Sequence, residues 1–164
     1  MLNDFVRKGS PLEVPETRKM LPRLVQELER ARGQGMPVIY LCDAHAKDDR
    51  EFERMHWPPH AVKGSKGAEV VEELKPLPGD TMVKKKSYSG FHGTTLQRVL
   101  EKLSAEKLIL TGCVTNICIL YIAYEAVIRG YAVTVMKDCV AGLNRNDHTF
   151  ALRQMERVLG VEIV

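Results

Sequence analysis

Leu108-Ile109-Leu110-Thr111-Gly112-Cys113-Val114-Thr115-Asn116-Ile117-Cys118 is the stretch on which the reading of this chain turns. Lys107 to Leu110 reads as a short buried strand, Gly112 as a turn, and Thr115 as the N-cap of a helix that follows at once. With Thr115 capping, Cys118 stands at the third helical position, where unpaired backbone N–H groups and the helix dipole favour negative charge. A thiolate is stabilised at such a place, and the thiolate is the form that attacks carbonyl carbon. A cysteine in an apolar helix also packs as a small hydrophobe, and this segment alone leaves both readings open.

Working outward, the same alternation of apolar runs and amphipathic stretches continues on both sides. Leu21, Leu24, Val25, Leu28 and Ala31 recur at helical spacing up to Arg32, with Gly33 and Gly35 as stops. Pro22 fits that helix only in its first turn. Pro37 to Leu41 reads as a buried strand ending at Cys42-Asp43, and a polar, histidine-containing loop runs on to about Gly67. Further elements are a strand at Thr81 to Lys84, a helix at Thr94 to Leu103 and a helix at Thr115 to Arg129 ended by Gly130. A strand at Ala132 to Met136, a helix at Asn146 to Leu159 and a strand at Val161 to Val164 complete the chain. Strands alternating with helices predict a parallel sheet covered on both faces. Ligands gather at the carboxyl ends of such strands, which puts Asp43, Lys85 and the Gly112 turn on one rim.

Composition narrows the function. At 164 residues, 45% hydrophobic and 27% charged, the chain fits one domain with a substantial core. A net charge of +3 and a single basic run, Lys84-Lys85-Lys86, give no footprint for nucleic acid or an anionic membrane. No apolar stretch approaches a membrane span, and the start lacks the marks of a signal peptide. Cys42, Cys113, Cys118 and Cys139 show no C-x-x-C spacing. That pattern suits reduced thiols, hence an expected cytoplasmic setting. No G-x-G-x-x-G follows a strand and no Walker sequence occurs, so nucleotide binding has no support.

Asp43, His45 and His60 supply oxygen and nitrogen ligands of the kind that zinc, manganese or iron accept. His56 lies four residues before His60, but Pro58 and Pro59 between them prevent a shared helical face.

Four segments together resemble the isochorismatase-like cysteine hydrolases, and within them the nicotinamidase-related amidases. They are Asn3-Asp4-Phe5; Asp43-Ala44-His45 with Trp57-Pro58-Pro59-His60; Lys85 with Tyr88-Ser89-Gly90-Phe91; and Gly112 to Cys118. The resemblance implies an α/β fold, a three-layer Rossmann-like sandwich with a mostly parallel sheet. It implies Cys118 as nucleophile and Lys85 as the triad lysine, with Lys84 and Lys86 as register alternatives. It also implies a cis peptide at Cys113–Val114, with the Val114 and Cys118 N–H groups holding an oxyanion. Asp43, His45 and His60 match the metal ligands of nicotinamidases, with zinc the expected ion, and Phe5, Trp57 and Tyr88 are expected as apolar walls for a small planar substrate. Self-association is a further expectation of the resemblance.

Two departures stand out. The family's triad Asp and first strand fall just upstream of Met1, because Asp4 matches the second Asp of the family pattern rather than the catalytic one. The expectation is therefore a truncated start, with an inactive homologue, or Asp4 as a displaced base, as the competing reading; Asp4 otherwise reads as a turn or cap residue. Ala44 and Ala46 replace the Trp and Pro common in nicotinamidases, which bears on nicotinamide as substrate. The expected activity is hydrolysis of a small amide through a thioester. The alternatives are hydrolysis of a carbamoyl or ureido amide, or a non-catalytic ligand-binding protein.

Overall fold

Parallel ladders organise the chain, and there are two of them rather than one. In the computed structural model, which describes residues 1–164, β1 (Ile39–Asp43) pairs with β2 (Thr81–Lys85), Ile39 opposite Thr81 and Asp43 opposite Lys85. The second sheet has the order β3 (Lys107–Cys113), β4 (Ala132–Ala141), β5 (Glu162–Ile163). β1 and β3 therefore each carry a ladder on one side only. They still share the same two covering layers, because a strand sends alternate residues to opposite faces. Ile39, Leu41, Leu108 and Leu110 pack toward α4 (Leu96–Lys102), α5 (Leu120–Ile128) and α6 (Arg145–Leu159). Tyr40, Cys42 and Cys113 pack toward α1 (Asn3–Val6) and α2 (Glu16–Gly33). The result is the expected three-layer α/β arrangement. Burial raises the thiols of Cys42 on β1 and Cys113 on β3 above their ordinary value.

Several boundaries differ from expectation, each for a local reason. α2 starts at Glu16, so Pro22 falls well inside it and removes the N–H that would bond to Arg18. Pro22 is exposed, so water can reach the carbonyl left without a partner. β3 runs on to Cys113, and Gly112 is not a turn but an irregularity within the ladder. The pairing jumps from Leu110 opposite Val135 to Gly112 opposite Val140, with Gly112 at φ +117°, a backbone state that suits glycine. β4 correspondingly extends to Ala141 rather than Met136.

Two short helices, α1 and α3 (Arg50–Arg54), were not foreshadowed by periodicity; Asp49 caps α3 by accepting the Glu51 N–H at 3.1 Å. In α5, Ile122, Ala123 and Ala126 are buried while Tyr121, Tyr124 and Ile128 face outward. No helix is long and apolar enough to cross a membrane.

Candidate active site

The register of β2 settles which lysine turns inward. Val83 and Lys85 are buried, whereas Met82, Lys84 and Lys86 are exposed, as alternation along a strand requires. Lys85 is the last residue of β2 and lies beside Asp43, the last of β1. Its ammonium is ion-paired with the Asp43 carboxylate. It also donates to the Ser87 carbonyl at 2.9 Å and faces Cys118 Sγ at 3.5 Å. An ammonium has three donors, and here each has a partner. Burial works against the charge, but the negative charge that Cys118 takes on when it loses its proton, together with the Asp43 carboxylate, outweighs it and holds the Lys85 pKa above its ordinary value.

Cys118 belongs to a widened turn, Thr115–Ile119, in which the Ile119 N–H donates to the Val114 carbonyl five residues back at 3.2 Å. This revises the expected cap. Thr115 makes no capping bond; its hydroxyl is wholly buried and shares a 2.9 Å hydrogen bond with His148 Nδ1. The Cys113–Val114 peptide is cis, as the resemblance implied.

The expectation of a resting thiolate is also revised. Burial pushes the Cys118 thiol above its ordinary value, and it outweighs the Lys85 charge and a backbone hydrogen bond from Val114, which both pull it down. The Asp43 charge adds to the rise. The surroundings of the sulfur therefore favour the thiol over the thiolate, with the Lys85 ammonium alongside.

Around it, one cleft gathers Cys118, Val114, Asp43, His45, His60, Trp57 and Tyr88. Trp57 Nε1 donates to the Tyr88 hydroxyl at 2.7 Å, and the Tyr88 ring stacks on Tyr121 with centroids 5.9 Å apart. Phe5, expected as a wall, does not line the cleft. It is buried in the core with its ring 5.8 Å from that of His60. Asp4 is not placed as a base. Its carboxylate accepts the Ala61 N–H at 2.8 Å and fills the space beside Gly67 where a Cβ would stand. Asp4 is a tie that holds the loop next to His60.

The two histidines face each other with ring centroids 5.1 Å apart. His60 Nδ1 lies 2.8 Å from the Pro58 carbonyl, which can only accept, so Nδ1 carries the proton and Nε2 keeps its lone pair. His45 Nδ1 lies 3.1 Å from Asp49 Oδ2, which fixes the same tautomer. Burial, the largest influence on it, holds His60 below the ordinary histidine value and so keeps it neutral. A neutral imidazole whose other nitrogen donates to an oxygen is the form that binds metals. The donor set therefore fits a divalent ion.

Asp43 is shared, since Lys85 already engages its carboxylate. The tightest cluster of ligand atoms is instead His45, Asp49 and Glu51, all within 4.8 Å of one another. Asp49 and Glu51 escaped sequence reasoning because they lie in a polar loop whose folding onto His45 has no periodic signature. His148, far along the chain in α6, carried no signal at all.

Cys118, Lys85 and Asp43 thus meet where parallel strands end, between the two helical layers. The Isochorismatase domain model matches residues 1–163, and the chain belongs to that family. Among relatives, nicotinamidase 3 of Arabidopsis thaliana is 35% identical over 159 residues, covering 94% of this chain and 76% of that protein. A probable inactive nicotinamidase of the same plant is 29% identical over 167 residues, covering 96% and 85%.

Solved structures similar to this one include N-carbamoylsarcosine amidase from Thermoplasma acidophilum, with TM-score 0.89 and 33% identity over 99% of this chain and 90% of that one. Nicotinamidase/pyrazinamidase PncA from Bacillus subtilis superposes at TM-score 0.92 with 28% identity, over 99% and 94%. The pyrazinamidase of Pyrococcus horikoshii in complex with zinc gives 0.92 and 28%, over 100% and 94%.

Proposed function

We propose that the protein is a cysteine-dependent amidohydrolase that cleaves a small amide such as nicotinamide through a thioester. The observation that carries this reading is the meeting of Cys118, Lys85 and Asp43 at one end of a cleft whose wall is Trp57 and Tyr88. The nucleophile starts as a thiol, so its proton must leave as sulfur attacks. Lys85 takes that proton while giving one of its own to Asp43, the carboxylate joined to it. The C–S bond forms, and the carbonyl oxygen becomes an oxyanion facing the Val114 and Cys118 N–H groups. Donors placed where charge develops are commonly worth on the order of a hundredfold or more each. The C–N bond then breaks as Asp43 returns its proton to the leaving ammonia, and water hydrolyses the thioester to the carboxylic acid. With Asp43 kept for the proton, His45 and His60 with the neighbouring Asp49 and Glu51 carboxylates would hold a divalent ion, zinc by preference. Bound there, such an ion supplies a Lewis-acid anchor for a substrate nitrogen or a water.

A carbamoyl or ureido acid is the second reading, favoured by one feature: Lys86, at the cleft beside Ser87, can receive a substrate carboxylate. Ammonia release from nicotinamide and from N-carbamoylsarcosine, each with Cys118→Ser as control, decides between them. Release from neither substrate would move the chain to the non-catalytic class. Self-association belongs to the same proposal, and sedimentation velocity tests it.

A further inference from the structure

One side chain from outside the cleft makes a hydrogen bond to the turn that carries Cys118. Thr115 is completely buried, and its hydroxyl has a single side-chain partner, His148 Nδ1, at 2.9 Å. His148 stands in the first turn of α6, which Asn144 caps by accepting the Asp147 N–H at 2.9 Å. α6 packs directly against the Thr115–Ile119 turn. That approach is close: a Cβ at Gly142 would come within 2.8 Å of the His148 Cβ, so glycine there lets the helix start settle against β4. On the other side of Thr115 sits Val114, whose carbonyl accepts the Ile117 N–H at 3.0 Å and the Ile119 N–H at 3.2 Å and so closes the turn that carries Cys118.

From these contacts we infer that His148 is a positioning residue, which fixes the Val114–Cys118 turn through Thr115 and so sets where the attacking sulfur and the oxyanion donors stand. It touches neither the substrate nor the sulfur. Without it the Thr115 hydroxyl is a buried polar group with no partner, and the turn relaxes to find one. The inference rests on the amidohydrolase reading for its catalytic consequence, but the contact itself does not.

Two measurements separate the two claims. Pyridine-3-carbaldehyde, ¹³C-labelled at the carbonyl, reports hemithioacetal formation with Cys118 by NMR. The C–S bond forms, the thiol proton ends on the former carbonyl oxygen, and no leaving group is needed. His148→Phe and Thr115→Val are expected to weaken the adduct at least tenfold. His148→Asn, whose side-chain oxygen can stand where Nδ1 stood, and Thr115→Ser are expected to stay within about threefold of wild type. The double variant His148→Phe/Thr115→Val should be no worse than either single one, as expected for partners in one contact.

Amide hydrogen exchange over residues 114–119, measured without any ligand, should speed up at least tenfold in His148→Phe and recover in His148→Asn. Unchanged exchange in His148→Phe overturns the inference. So does an adduct within twofold of wild type in His148→Phe. If wild type forms no adduct while exchange responds as stated, the amidohydrolase reading falls and the positioning role of His148 stands.

Discussion

The two walls of the cleft are built in different ways. The Cys118 wall is made of strand ends: Lys85 and Asp43 close β2 and β1, and the Cys118 turn follows β3, so ladders and core packing place its groups before any ligand arrives. The histidine wall is made of loop. His45 and His60 are held by the Ala61 N–H on Asp4, by the His45 N–H on the Ala61 carbonyl at 3.0 Å, and by the Pro58 carbonyl on His60. One wall is a product of the fold; the other is tied on with a few hydrogen bonds. On the proposed function, chemistry that needs fixed geometry sits on the first, while choice of ligand sits on the second. Loops on a rigid scaffold commonly divide labour in this manner.

Perturbing the rigid wall should cost most. Cys118→Ser is expected to lower ammonia release by on the order of a thousandfold or more while leaving the melting temperature unchanged. Labelling of Cys118 by iodoacetamide sharpens the point. Because burial raises the thiol, its rate should climb about tenfold per pH unit and keep climbing above the ordinary thiol midpoint near pH 8.5. Lys85→Met removes a cation that lowers the thiol, so it should shift that profile further to alkaline pH. A plateau at neutral pH in wild type would show a resting thiolate instead.

Next in size is the effect on stability of breaking the buried pair. Lys85→Met leaves Asp43 without its ammonium and should cost about 3–5 kcal/mol in urea unfolding. Lys85→Met combined with Asp43→Asn should recover much of that loss, because no buried charge remains unpaired.

The tied wall should respond through metal rather than through stability. His60→Ala is expected to weaken zinc binding at least tenfold, measured by titration against a chelator, with little change in Cys118 labelling. Smallest is Asp4→Ala, which removes one charge-assisted bond to Ala61 and should cost about 1–2 kcal/mol. It should also loosen zinc binding, although Asp4 is no ligand. If Asp4→Ala changes Cys118 labelling as much as zinc affinity, the two walls are not independent.

Much of the rigid wall was legible in the sequence, because strands announce themselves by apolar runs and period-two alternation. Lys85 and Cys118 could be placed from β2 and β3 together with the resemblance, and the layers followed from the order of elements. The first turn after β3 was misread because Thr115 satisfies the N-cap preference on paper, yet its hydroxyl is claimed by His148 from 33 residues away. Phe5 looked like a wall residue for the same reason: hydrophobicity marks burial but not which side of His60 is buried. The ionisation of Cys118 was also beyond reach, since the helix start argues for an anion while surrounding protein, invisible in a string of letters, argues for the neutral form. The loop wall was hardest. His45 and His60 were found from residue types, but Asp49 and Glu51 reach His45 only through a five-residue helix with no detectable period.

With all three of its protons engaged, the amine of Lys85 is a poor electrophile trap, although it stands in the most reactive corner of the molecule. Aldehydes, activated esters and nitriles entering the cleft should mark sulfur and leave this nitrogen unmodified. A covalent inhibitor for this chain is therefore best built on thiol-seeking chemistry, and any lysine adduct recovered by mass spectrometry should come from the outer surface.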